Sequence, residues 1–204
     1  GFVKGNYIPG TDSVPKFEVK LEVKEGTLKI DTVDESIDDI HFDLLVSNNV
    51  GHKDSTEIEM DSVFFGVKEH SVQGHAHIHR LVNSHVDALI VGSIHAEDLL
   101  AVYPIRGLKA EGELNFNIEA VGNYSSMKWP EEIPHVDFDI DMKKGMLKYD
   151  SLPDSLNNIS FHMLGHIPQG NWQQSKIELG HLVMNIGDNP VTGKLKIENF
   201  EKPK

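Results

Sequence analysis

PKFEVKLEVKEGTLKID, residues 15–31, returns as PHVDFDIDMKKGMLKYD, residues 134–150, and this pair of stretches decides the fold. In the first, Phe17, Val19, Leu21 and Val23 alternate with Glu18, Lys20, Glu22 and Lys24. In the second, Val136, Phe138, Ile140 and Met142 alternate with Asp137, Asp139, Asp141 and Lys143. A period of two puts one residue set on each side of a β-strand, so both stretches read as strands with an apolar and a wet face. Working outward, the same offset of 119 (134 − 15) lays residues 15–81 over residues 134–200 without a gap. Sixteen of those 67 positions are identical, from Pro15 and Pro134 to Ile78 and Ile197. A repeat of this kind is one supersecondary unit that buries its face against a neighbour, and any binding surface is long and shared.

Each unit is expected to open with a hairpin turning at Glu25-Gly26 or Lys144-Gly145, where glycine permits positive φ. An acidic connection follows (TVDES or SLPDS), then strands near residues 37–46 and 156–164, 56–65 and 175–184, and 72–79 and 191–200. Between the copies, residues 86–94 and 108–121 read as strands. EDLLAVY, residues 97–103, reads as one short helix stopped by Pro104. Residues 123–134 read as the loop into the second copy. About twelve strands without a βαβ rhythm point to an antiparallel sheet too wide to stay flat. The expected fold is all-β: a long, twisted, mostly antiparallel sheet of two tandem units, curled into a half-pipe or a sandwich. We expect one β domain over residues 1–204, cut from a longer protein, with units 15–81 and 134–200 and a connector at 82–133.

The chain's net charge of −13 argues against nucleic-acid backbones and anionic membrane surfaces as partners. It has no cysteine, which removes disulfides, thiolate catalysis and cysteine–zinc sites together. No apolar run reaches the 18 residues of a membrane-spanning helix, and GFVKGNYIPG has no signal-peptide pattern.

Histidines 75, 77 and 79 would share one strand face, about 7 Å apart per step, and imidazole is a common metal ligand. Ala76 and Ile78 claim the apolar face, so the histidines should face solvent. The second copy carries Lys194, Lys196 and Glu198 in their place. Asp137, Asp139 and Asp141 mimic the start of a calcium loop, but Met142 stands where the loop needs glycine and Lys148 where it needs glutamate. They read as a polar strand face. Asp31, Asp34, Glu35, Asp38 and Asp39 read as a solvated turn. No metal site and no cofactor is expected. Nor is there a Gly-x-Ser-x-Gly elbow, a His-Glu-x-x-His pair or a glycine-rich phosphate loop, so we expect no enzyme. Trp129, Trp172 and Tyr124 are loop aromatics, able to stack on sugars or to pack over the end of a core.

The two alternating stretches, SLPDSLNNISF, HAEDLLAVYPI, LKAEGELNFNIEAVG and NPVTGKLKIENFEKP together resemble the AsmA-like proteins of Gram-negative envelopes, in the forms seen in Bacteroidetes. The resemblance covers most of the chain from Pro15 onward. It implies a non-enzymatic periplasmic segment of a protein anchored in the inner membrane by a helix this chain does not contain. It also implies a curled sheet whose apolar groove handles phospholipid or another acyl lipid on its way to the outer membrane. The groove lining would then be Phe17, Val19, Leu21, Leu28, Phe42, Leu114, Phe116, Ile118, Val136, Phe138, Ile140, Leu147 and Phe161. Alternation by itself does not separate an open groove from a closed, dry sandwich core. The alternative function is a surface-exposed adhesion or glycan-binding β module, with an unrecognised hydrolase behind both.

Overall fold

In a computed structural model of the chain, which describes residues 1–29, 36–67, 69–102, 104–125, 133–169 and 171–200, the alternating segments form one antiparallel sheet. Its strands are β1 (Phe2–Lys4), β2 (Lys16–Lys29), β3 (Ser36–Asn48), β4 (Glu57–Val67), β5 (His70–His79), β6 (Asn83–His95), β7 (Leu108–Ser125), β8 (His135–Tyr149), β9 (Leu156–Ile167), β10 (Lys176–Ile186) and β11 (Asn189–Glu198). They pair in chain order from β1 to β11, a pure meander. The sheet is open, because β1 and β11 each have a single neighbour. One α-helix, α1 (Ala96–Val102), leaves the end of β6 and packs on β7 and β6. A 3-10 turn at Lys53–Ser55 lies between β3 and β4.

The repeat is visible strand by strand. Adding 119 carries β4 onto β10 and β5 onto β11 to the residue, and carries β2 and β3 onto β8 and β9 within one residue. Irregularities repeat as well. The pairing shifts between Val23 and Gly26 in β2 and between Met142 and Gly145 in β8, then between Met60 and Val63 in β4 and Leu179 and Leu182 in β10.

Those shifts correct one expectation. The chain does not reverse at Glu25-Gly26 or Lys144-Gly145. Residues on both sides of Gly26 pair with β3, and residues on both sides of Gly145 pair with β9. Each site is a β-bulge inside one long strand, which adds a residue and bends the strand without turning it. The positive φ falls on Glu25 (55°) and Lys144 (52°) rather than on the glycines. Glycine is needed there for space: a Cβ on Gly26 would lie 2.8 Å from Val23 Cγ1, and one on Gly145 would lie 2.7 Å from Met142 Sδ. Two presumed hairpins thus become two strands, and with β1 added the total among the described residues is eleven rather than twelve. Asn123–Ser125, expected in a loop, extend β7 and pair with Asn83–His85. Asp31, Asp34, Glu35 and Trp129 lie outside the described residues.

Among the described residues the sheet is a single layer. Strands in extensive contact are all sheet neighbours, so the half-pipe alternative, an open sheet, describes the fold and the sandwich does not. Buried apolar side chains are correspondingly few: Val72, Ile94, Ala96 and Ile159. Two of them, Ile94 and Ala96, sit at the junction of β6 and α1.

Candidate functional site

The register sorts side chains into two faces, since directly opposed residues point to the same side of a sheet. One row crosses ten strands: Val23, Phe42, Val63, Gly74, Ile90, Ile118, Phe138, Gly165, Ile177 and Ile197. Beside it run Leu21, Leu44, Met60, Ala76, Ala88, Ala120, Val136 and Ile167. On its other side lie Gly92, Phe116, Ile140, Met163, Leu179 and Leu195. Ten strands about 4.8 Å apart make this apolar field about 43 Å wide. The large side chains are seated on small ones. The Phe138 ring lies where a Cβ on Gly165 would meet it at 2.0 Å, so glycine there gives the ring its place.

The thirteen residues expected to line a groove fall on this one face. Phe17, Val19, Leu21 and Leu28 lie on β2, and Phe42 lies on β3. Leu114, Phe116 and Ile118 are on β7, Val136, Phe138, Ile140 and Leu147 on β8, and Phe161 on β9. Among the described residues no second layer lies over this face, although Val72, Ile94 and Ile159 on it are buried. Val19 is 49% exposed, Leu21 48% and Leu195 51%, while Phe138 and Ile140 are half-buried by their own neighbours. It carries almost no hydrogen-bonding side chains, so whatever it holds is held by removal from water, about 25 cal/mol per Å².

The opposite face is polar and holds most of the histidines. His75 Nε2 is 3.3 Å from Asp87 Oδ1, His77 Nε2 is 3.0 Å from Asp61 Oδ1, and His79 Nδ1 is 3.7 Å from Glu57 Oε1. His79 is exposed, and His75 and His77 are half-buried. The sequence reading put all three toward solvent, and each lies beside a carboxylate of an adjacent strand there. Three shallow depressions, of about 440, 260 and 170 Å³, also lie on this face, and the first two border Asp137, Asp139 and Asp141.

These three aspartates are more than a solvated strand face. His135 Nε2 and His166 Nδ1 each lie 2.7 Å from Asp137, on Oδ2 and Oδ1 respectively. His162 Nε2 lies 2.8 Å from Asp139 Oδ1, with Asp141 beside it. Burial pushes the Asp137 carboxyl up, but hydrogen bonds from His166 and His135 outweigh it and hold the group below its ordinary value of 3.8. Sequence reasoning passed over this cluster because His162 and His166 lie more than twenty residues beyond the aspartates. Only the β8–β9 register, with Asp137 opposite His166 and Asp141 opposite His162, brings them together. Alternation in β9 was the available signal, since it places His162, Leu164 and His166 on one face.

The loop aromatics divide. Trp172, in the β9–β10 connection, packs against Phe200 with ring centroids 6.1 Å apart and planes tilted by 33°, while Tyr124 is 44% exposed near the end of β7. No described helix is long and apolar enough to cross a membrane. No family model, curated protein or solved structure matches the chain.

Proposed function

We propose that this chain is a non-enzymatic, lipid-handling segment whose open apolar face accepts acyl chains of phospholipid or a similar lipid. One observation carries the reading: an apolar field across ten strands with no second layer over it among the described residues, exposed at Val19 and Leu21 on β2, Ile90 on β6 and Leu195 on β11. Exposed apolar patches above a few hundred Å² mark interaction surfaces in folded proteins. A face with few directional polar groups suits a chain of methylenes, each worth about 0.8 kcal/mol when buried. Such a surface favours passage over tight capture, because it has no enclosing walls. The resemblance to AsmA-like envelope proteins supports the same function. It implies a periplasmic location, a role in lipid transfer and outer-membrane assembly, and an inner-membrane anchor outside this chain.

The test pairs lipid content with stability. The chain is expressed in a bacterial periplasm and its co-purifying lipid is identified by mass spectrometry, with Phe138→Asp as the comparison. Water reaches an open face, so Phe138→Asp is expected to fold and to carry much less lipid. Absence of lipid from the unmutated chain, or full retention by a folded Phe138→Asp variant, refutes the proposal.

A further inference from the structure

We propose that His135, Asp137 and His166 form a binding site for a divalent transition-metal ion of the zinc class, on the face opposite the apolar field. His135 and Asp137 are two apart on β8 and therefore project to one side, and Asp137 is the direct cross-strand partner of His166 on β9. All three offer a ligand atom, and these atoms lie within 4.8 Å of one another. The atoms already converge: both imidazole nitrogens lie 2.7 Å from Asp137 oxygens, and the two rings meet edge to face at 4.9 Å. Around a tetrahedral ion with bonds of about 2.0–2.1 Å, neighbouring ligand atoms sit about 3.3 Å apart. On binding, each histidine–aspartate pair would open by about 0.6 Å around the ion.

The donor set decides the ion. Two imidazoles and one carboxylate favour zinc or another first-row transition ion such as ferrous iron, nickel or copper, whereas calcium and magnesium require a shell of oxygens. Each ring would bind through the nitrogen now facing Asp137 and carry its single proton on the other nitrogen. The side chains are about one-third to one-half exposed, which leaves an entry path and room for water in the remaining coordination positions. The first repeat lacks the site, since Lys16, Glu18 and Ser47 occupy the corresponding positions (135 − 119, 137 − 119 and 166 − 119). The ion would belong to the second copy and clip β8 to β9 there.

The measurement is calorimetric titration of the untagged chain with zinc chloride, with calcium and magnesium chloride as further probes. One zinc ion is expected to bind at micromolar concentration, with no heat from the alkaline-earth ions. Replacing His135→Gln together with His166→Gln should weaken binding by more than the about 10–100-fold seen on losing a mere supporting residue. A His75→Gln, His77→Gln variant should bind as before, which separates the site from adventitious uptake by other surface histidines. No binding below millimolar zinc, survival of binding in the first variant, or its loss in the second overturns the proposal. If the first variant does not fold, broadening of histidine ring signals by substoichiometric nickel in the unmutated chain decides instead. Signals of His135 and His166 should broaden first, and any other order refutes the site.

Discussion

Asn48 shows how one side chain can close a loop. It is fully buried at the end of β3, donates from Nδ2 to the His52 carbonyl (2.7 Å) and to Thr56 Oγ1 (2.9 Å), and accepts at Oδ1 from the Gly51 amide (2.7 Å). Asn48→Ala leaves those loop groups without this partner, so we expect a loss of about 1–3 kcal/mol in urea unfolding. An unchanged midpoint would show that water replaces the amide. Asp137 makes a prediction of the opposite kind, on pH. Its carboxyl is held below 3.8 by hydrogen bonds from His166 and His135 against the effect of burial. A carboxylate with a depressed folded value contributes stability that is complete above the unfolded value and disappears as pH falls through the folded one. Its contribution should therefore be intact above about pH 4 and vanish in the acid range below it. Carbon NMR of the Asp137 carboxyl should give a midpoint below 3.8 that rises in the His135→Gln, His166→Gln variant. A midpoint that stays put would assign the depression to another cause.

At the scale of the strand, the bulges decide where β2 and β8 bend. Gly112 of β7 lies against the bulge in β8: its φ is +117°, and a Cβ there would sit 2.6 Å from Gly145 Cα. The obstacle is backbone, which cannot rotate away as a side chain can. Gly112→Ala should cost about 2 kcal/mol or more, from the unfavourable φ and the contact together. Gly26→Ala should cost less, about 1 kcal/mol, because its nearest obstacle is a methyl of Val23 and its φ is ordinary. Chemical denaturation of both variants checks the ranking. Equal costs would mean that β7 and β8 part easily at this point. Alternation, the strand-level signal, placed a strand at each of β2 to β11, although β2 and β8 were each divided in two and β7 was cut short. Glycine misled at residues 26 and 145, because a residue chosen for close packing and one chosen for a turn look alike in one dimension.

For the molecule as a whole, a single-layer sheet leaves apolar surface in water that a sandwich would bury. Unfolding then exposes less new apolar area than usual. Calorimetry of lipid-free chain should give a heat-capacity change below the about 12–15 cal/mol/K per residue of ordinary globular domains. A value in the ordinary range would mean that the face is covered in solution, and sedimentation would then show self-association. The two faces also divide the chemistry. Directionless apolar contact lies on one side, and paired histidines and carboxylates lie on the other, so substitutions on β8 can address one at a time. Phe138 and Asp137 are adjacent in sequence and on opposite sides of the sheet.

From the sequence alone came the all-β class, the ungapped repeat and the assignment of each alternating residue to an apolar or a wet face. These are local or periodic properties: the pleat fixes sidedness every second residue, and an offset of 119 can be counted without knowing the fold. The tertiary structure decided what no period encodes. Alternation is the same in an open sheet and in a closed sandwich, and only the absence of a second layer distinguishes them. Pairing between β8 and β9 set His166 against Asp137 and His162 beside Asp139, because cross-strand neighbours are chosen by register, and register is a property of two strands together.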